Sequence, residues 1–97
     1  MNVVTRRALP DCWTKHPRAE GPLKAWYRLA KAFDWRTHQD IRDQFRSADF
    51  LADNRVVFDI AGNHYRLIVR VSYTYRQVLV KIVGTHAEYD RIDPVSI

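Results

Sequence analysis

The chain has 97 residues, which is enough for one domain around a single hydrophobic core. It contains 16 Lys and Arg against 11 Asp and Glu, a formal net charge of +5. A domain this basic attracts polyanions, so nucleic acid is the first candidate partner. An acidic protein partner, or a charge excess that only aids solubility, also fits. We expect one domain over residues 1–97.

Cysteine content and hydropathy exclude several other classes. The one cysteine, Cys12, cannot form an internal disulfide or supply a cysteine-rich zinc site, and its apolar neighbours predict a buried thiol. No run approaches the roughly 18 consecutive apolar residues of a membrane span. The N-terminus turns polar at Arg6 and Arg7, too soon for a signal peptide. We therefore expect a cytoplasmic protein that does not bind a membrane.

The first half of the chain is predicted to be mainly helical. Residues 2–5 have the pattern of a short strand. A first helix begins between Arg6 and Leu9 and ends at Lys15, because His16 precedes a proline and is disfavoured in the helical region. The second helix carries an apolar stripe at i, i+3, i+4, i+7 and i+10, which predicts a core face made of Leu23, Trp26, Tyr27, Ala30 and Phe33.

A capping-box pattern predicts a third, short helix. Thr37 and Asp40 have the capping spacing, with Asp in place of the usual Glu. The helix should extend to about Phe45 and turn Ile41 inward. Residues 47–54 are interpreted as a connecting loop.

From Arg55 onward the hydrophobic period changes to two, which indicates strands. Strands are predicted over residues 55–60, 65–73 and 77–83, with turns at 61–64 and 74–76. The expected inward side chains are Val56, Phe58 and Ile60, then Tyr65, Leu67, Val69 and Val71, then Val78, Val80 and Ile82. The pattern predicts an antiparallel meander packed on helices, which is an α+β fold.

The strand-rich half contains a basic block: between residues 54 and 86 there are five Lys and Arg residues and one acid, Asp59. Alternation places Arg66 and Arg70 on one face of the sheet, opposite the apolar face. A guanidinium group can bind phosphate through two parallel hydrogen bonds (bidentate binding), so this open face is a candidate RNA-binding surface. Its further candidates are Arg55, Arg76, Lys81 and the turn residue His64, with an ordinary solvated strand face as the alternative.

Several strings in this half resemble the HigB family of toxins. The most specific is Gly-Thr-His-Ala-Glu-Tyr-Asp at residues 84–90, and the others lie at residues 54–58 and 62–70. Shorter matches occur at residues 25–27 and 47–50, so the resemblance covers nearly the whole chain from residue 15.

The resemblance implies a fold and a function. HigB toxins are similar in fold to RelE-type toxins. That fold is a small, antiparallel-rich sheet with two to three helices packed on one face. They are the toxic half of a type II toxin–antitoxin pair and cleave mRNA, commonly on translating ribosomes. Their partner is a HigA-like antitoxin with a helix-turn-helix, so DNA is contacted only through it. The RNA 2′-hydroxyl attacks the adjacent phosphate, and no metal or other cofactor is needed.

That reaction needs a cation for the phosphorane charge and two proton carriers. The resemblance implies Arg66 as the cation. His86 is the first candidate for proton transfer, since histidine commonly serves near neutral pH. Tyr89 is a second candidate, which alternatively stacks on a base or closes the core. Glu88 is an alternative base. The division of roles among these three stays open.

Two rival interpretations remain. On a strand, the string His86-x-Glu88-x-Asp90 would place three metal ligands on one face, although Gly84 and the polar residues after it favour a turn. The basic sheet would also suit a module that binds RNA or the ribosome without cutting, or an inactive toxin homologue that acts through protein contacts.

Overall fold

The computed structural model describes residues 1–93; the last four residues of the predicted domain lie outside the described part. Four helices and five strands follow one another along this part of the chain. They are β1 (Asn2–Val4), α1 (Ala8–Lys15), α2 (Glu20–Ala32), α3 (His38–Gln44), β2 (Asp49–Phe50), β3 (Arg55–Ile60), β4 (Tyr65–Ser72), β5 (Gln77–Thr85) and α4 (His86–Asp90). The predicted α+β class is confirmed.

The strands form one mixed sheet in the order β1-β5-β4-β3-β2. The predicted antiparallel meander is confirmed for β3, β4 and β5. β1 adds to it as a parallel edge strand beside β5. The prediction of a plain loop over residues 47–54 is wrong, because Asp49 and Phe50 pair with Val57 and Val56. Two residues are too few to show a strand period in the sequence.

The hydrophobic core lies between α1–α3 and one face of the sheet. Val56, Phe58 and Leu67 are at most 1% exposed there, and the Trp26 ring packs edge-on against Phe58 at 5.5 Å. Cys12 is buried in the same core, as predicted, and burial raises the pKa of its thiol. Within residues 1–93, no helix is both long and apolar enough to cross a membrane.

The apolar stripe of α2 is confirmed except at its end. Trp26 is 2% exposed, but Phe33 is 43% exposed, so its predicted core position is wrong. The helix ends at Ala32 and Phe33 has an extended backbone, which removes its side chain from the helical stripe. Trp35, only 1% exposed, contributes the core ring instead.

The third helix begins with the predicted capping box. The Thr37 hydroxyl accepts from the Asp40 amide, and the Asp40 carboxylate accepts from the Thr37 amide, both at 3.3 Å. Ile41 is fully buried, as predicted. The box fixes where α3 starts, although aspartate has the shorter side chain.

A bulge in β5 changes which side chains face the core. Ile68 pairs with Ile82 and the next residue, Val69, pairs with Val80, so Lys81 is an extra residue. Beyond the bulge the faces are exchanged: Val83 packs against the core, and Ile82 lies on the face that carries Arg66. The prediction that Ile82 points inward with Val80 is therefore wrong, because a bulge shifts the two-residue period by one.

Candidate active site

Arg66 lies on the outer face of the sheet, the face opposite helices α1–α3. Its neighbours across the strands are Asp59 in β3 and Gly84 in β5. The Arg66 Nε lies 2.9 Å from Oδ1 of Asp59, and a terminal nitrogen lies 4.0 Å from the Asp49 carboxylate. The Arg66 side chain is only 18% exposed. The Arg66 guanidinium is therefore held in one position beside these carboxylates.

His86 is the first residue of α4 and reaches the same arginine. Nε of Arg66 donates to Nε2 of His86 at 3.2 Å. Nε2 of His86 also lies 2.8 Å from the side-chain oxygen of Asn63. An unprotonated Nε2 accepts from Arg66, whereas a protonated Nε2 donates to Asn63, so each protonation state has a partner. That is the environment a proton carrier needs.

Tyr89 completes the cluster from the same face of α4. His86 and Tyr89 are three residues apart, which places both side chains on one side of a helix. The guanidinium carbon of Arg66 lies 5.3 Å from the centre of the Tyr89 ring, a cation–π contact. Arg66 thus contacts both His86 and Tyr89, and the three residues predicted from the sequence meet around one guanidinium.

Gly84 allows α4 to lie this close to the sheet. A β-carbon built on Gly84 would approach Cβ of Glu88 to 3.2 Å and its Oε1 to 3.3 Å. Both separations are tighter than ordinary van der Waals contact. The absence of a side chain at Gly84 therefore sets how close α4, with His86 and Tyr89, can approach Arg66.

Glu88 caps α4. Its Oε1 accepts from the backbone N–H and the hydroxyl of Thr85, both at 3.1 Å, and its own N–H donates to the Thr85 hydroxyl. These bonds, with a further one to His16, lower the pKa of Glu88, and burial opposes them only in part. The carboxylate is thus held ionised in a capping box, on partners different from those of His86.

The predicted RNA-binding residues are spread over the outer face and its ends. Arg70 is half exposed and lines an open groove of about 340 Å³ together with Asn54, Ser72 and Gln77. Arg55, opposite Arg70 in β3, is only 8% exposed and pairs with Asp53 at 3.2 Å. Arg70 is therefore the more accessible of this pair.

The other three candidates lie in the two turns and at the bulge. Arg76 is exposed in the β4–β5 turn, 3.5 Å from Asp34. His64 is exposed in the β3–β4 turn. Lys81, at the bulge, lines a groove with Cys12, Lys15 and His16 around α1. The structure thus brings Arg70 onto the Arg66 face and places Lys81 beside α1.

The string His86-x-Glu88-x-Asp90 lies on a helix and not on a strand. Residues two apart on a helix do not share a face, so the spacing considered for a metal site does not converge. Within residues 1–93, no group of three or more His, Cys, Asp or Glu side chains is placed to hold an ion.

Asp59 and Asn63 were missed in the sequence, although both contact the cluster. Asp59 was visible as the only acid between residues 54 and 86, but it was not assigned a partner. The predicted turn at residues 61–64 implies a hairpin in which Asp59 faces Arg66, as observed. The Asn63–His86 contact spans 23 residues and depends on where α4 docks, so no local pattern signals it.

A mixed sheet with helices on one face and an arginine-centred cluster on the other is consistent with a RelE-like toxin fold. The sequence model of the HigB toxin family, described as the RelE-like toxic component of a toxin–antitoxin system, matches residues 19–92. The chain is 30% identical over 94 residues to an mRNA interferase HigB from Escherichia coli O6:H1, covering 95% of this chain and 91% of that protein. It is 29% identical over 93 residues to the mRNA interferase toxin HigB of Escherichia coli K12, covering 93% and 88%.

The chain belongs to the HigB family of RelE-like toxins. As the toxic component of such a pair, it has an antitoxin as its partner.

Proposed function

We propose that this protein is an endoribonuclease that cleaves mRNA, with Arg66, His86 and Tyr89 as its catalytic residues. The observation that carries the proposal is the convergence of these three side chains: Arg66 donates to His86 at 3.2 Å and lies over the Tyr89 ring. The relatives' names support the substrate, since both are called mRNA interferases.

The reaction requires little of the protein, because the nucleophile is already in the RNA. A base removes the proton of the 2′-hydroxyl, the 2′-oxygen bonds to phosphorus, and the bond from phosphorus to the 5′-oxygen breaks. A protonated group supplies the proton that the 5′-oxygen needs. The products are a 2′,3′-cyclic phosphate and a 5′-hydroxyl. No metal ion takes part in this proposed scheme.

Arg66 stabilises the extra negative charge of the phosphorane. Preorganised donors of this kind are commonly the largest contribution to catalysis, and losing one costs about 2.7–4 kcal/mol. Arg66 is preorganised because Asp59 holds its Nε side while the Tyr89 ring lies over the guanidinium.

His86 and Tyr89 move the two protons. His86 has a partner for each protonation state in Arg66 and Asn63. Tyr89 lies against the Arg66 guanidinium, which places its hydroxyl-bearing ring beside the proposed phosphate site. Glu88, which caps α4, is the weaker candidate for a base. Arg70, on the same face, holds a neighbouring RNA phosphate.

The partners follow from the same proposal. The substrate is mRNA on translating ribosomes, and the antitoxin is a HigA-like protein with a helix-turn-helix. The test incubates the purified protein with a 5′-labelled mRNA, alone and on translating ribosomes, and maps the new ends. We expect cleavage with a cyclic phosphate end, arrested by the antitoxin. Binding without cleavage in both conditions would contradict the proposal and favour a non-catalytic RNA-binding module.

A further inference from the structure

The active-site helix α4 is too short to hold itself in place. It has five residues, from His86 to Asp90. Isolated helices below about 12 residues are marginal in water, so contacts with the rest of the protein must fix such a segment. The proposed chemistry depends on α4, because His86 and Tyr89 meet Arg66 only when it is docked.

One contact ties α4 to a distant part of the chain. Nε2 of His16 lies 3.2 Å from Oε1 of Glu88, 72 residues away. An ionised carboxylate only accepts hydrogen bonds, so His16 is the donor. Oε1 thus receives three donors: the N–H and hydroxyl of Thr85 from within the capping box, and His16 from outside it.

His16 is itself held in place at both backbone and ring. It follows the last residue of α1, and its N–H donates to the Cys12 carbonyl at 2.8 Å. Pro17 comes next and keeps His16 out of the helical region, with φ −129° and ψ 80°. Its side chain is only 28% exposed. The donor is therefore preorganised at a fixed position.

The ring of His16 also contacts the strand that carries Arg66. It packs against the Tyr65 ring at 5.6 Å, and Tyr65 directly precedes Arg66 in β4. Tyr65 pairs across the sheet with Thr85, the N-cap residue of α4. His16, Tyr65, Thr85 and Glu88 thus form a closed ring of contacts that joins the strand of Arg66 to the helix of His86.

We propose that His16 is a positioning residue of the proposed active site, which docks α4 by donating to Glu88 while resting on Tyr65. The inference rests on the proposed function for its effect on catalysis. His16 does not touch the reacting groups; it keeps His86 and Tyr89 at the distance from Arg66 at which they act. A misplacement of about 1 Å in such groups costs up to roughly 100-fold in rate.

The test compares three variants in cleavage of ribosome-bound mRNA. His16→Ala should lower kcat by about 10- to 100-fold, with a smaller change in KM, because the RNA-binding face is intact. His16→Gln, which keeps a donor of similar reach, should recover most of that loss. Lys15→Ala is the matched control: Lys15 also approaches Glu88, but at 4.0 Å and 72% exposed, so its loss should leave the rate near wild type.

A second measurement needs no RNA. Backbone amide hydrogen exchange over residues 86–90 should be faster in His16→Ala than in wild type, and near wild type in His16→Gln and Lys15→Ala. If the wild type cuts no mRNA, the proposed function fails, and exchange alone decides whether His16 docks α4. Unchanged exchange in His16→Ala, or a Gln variant as impaired as the Ala variant, would overturn the proposal.

Discussion

The ion pair between Asp59 and Arg66 allows a quantitative prediction for the variant Asp59→Asn. Both side chains are 18% exposed and their nearest atoms are 2.9 Å apart. Removing one partner of a buried pair costs about 3–5 kcal/mol, because the other charge is left uncompensated. Residual exposure and the Asp49 carboxylate 4.0 Å away reduce that figure, and we expect about 2 kcal/mol. For a domain of this size, that loss lowers the melting temperature by about 8–16 °C.

The control is Asp49→Asn, which removes the other carboxylate near the same arginine. Asp49 is 69% exposed and 4.0 Å from Arg66, so its loss should cost less than about 1 kcal/mol. The assay is thermal unfolding followed by circular dichroism at neutral pH. The assignment of Asp59 as the main ion-pair partner of Arg66 is wrong in either of two cases: if Asp59→Asn melts within about 2 °C of wild type, or if Asp49→Asn melts at a lower temperature than Asp59→Asn.

Three further predictions concern α4 and the outer face. Gly84→Ala should slow mRNA cleavage by about tenfold in a single-turnover assay, because the added carbon pushes Glu88, and with it α4, away from the sheet; an unchanged rate would show that the close approach does not matter. Arg70→Ala should weaken RNA binding and reduce the slope of log affinity against log salt by about one; an unchanged slope would remove Arg70 from the RNA contacts. The pKa of Glu88 is lowered in the folded protein, so its contribution to stability is complete above the ordinary pKa of 4.5 and is lost as the pH falls through the lower pKa of the folded state. Glu88→Gln should therefore make the free energy of unfolding, measured with urea, less dependent on pH in the acid range. The same pH dependence as in wild type would contradict the capping role.

The fold could be predicted where the sequence pattern is local. The strands β3 and β4 could be predicted from alternation, and the start of α3 from the capping box at Thr37, because each pattern depends on residues close together along the chain. Phe33 continued the helical stripe, but α2 ended one residue earlier. Ile82 followed the two-residue period, but the bulge at Lys81 exchanged the faces. Both errors occurred where the backbone leaves its regular geometry.

The candidate site was predicted only in part. Arg66, His86 and Tyr89 were singled out from alternation and from the family resemblance. That they meet around one guanidinium depends on the docking of α4, which no periodicity encodes. His16 and Asn63 contact α4 across 72 and 23 residues, so their roles follow only from the folded structure.

The most direct test of the proposed function is the rate at which Arg66 variants cleave ribosome-bound mRNA. Arg66→Ala should be slower than wild type by about 100- to 1000-fold, because it removes the cation that stabilises the phosphorane. Arg66→Lys should also be impaired, since it keeps a charge but loses the Nε donor to His86. Arg28→Ala, an exposed arginine on α2, should cleave at the wild-type rate. A folded Arg66→Ala protein that cleaves as fast as wild type would contradict the account.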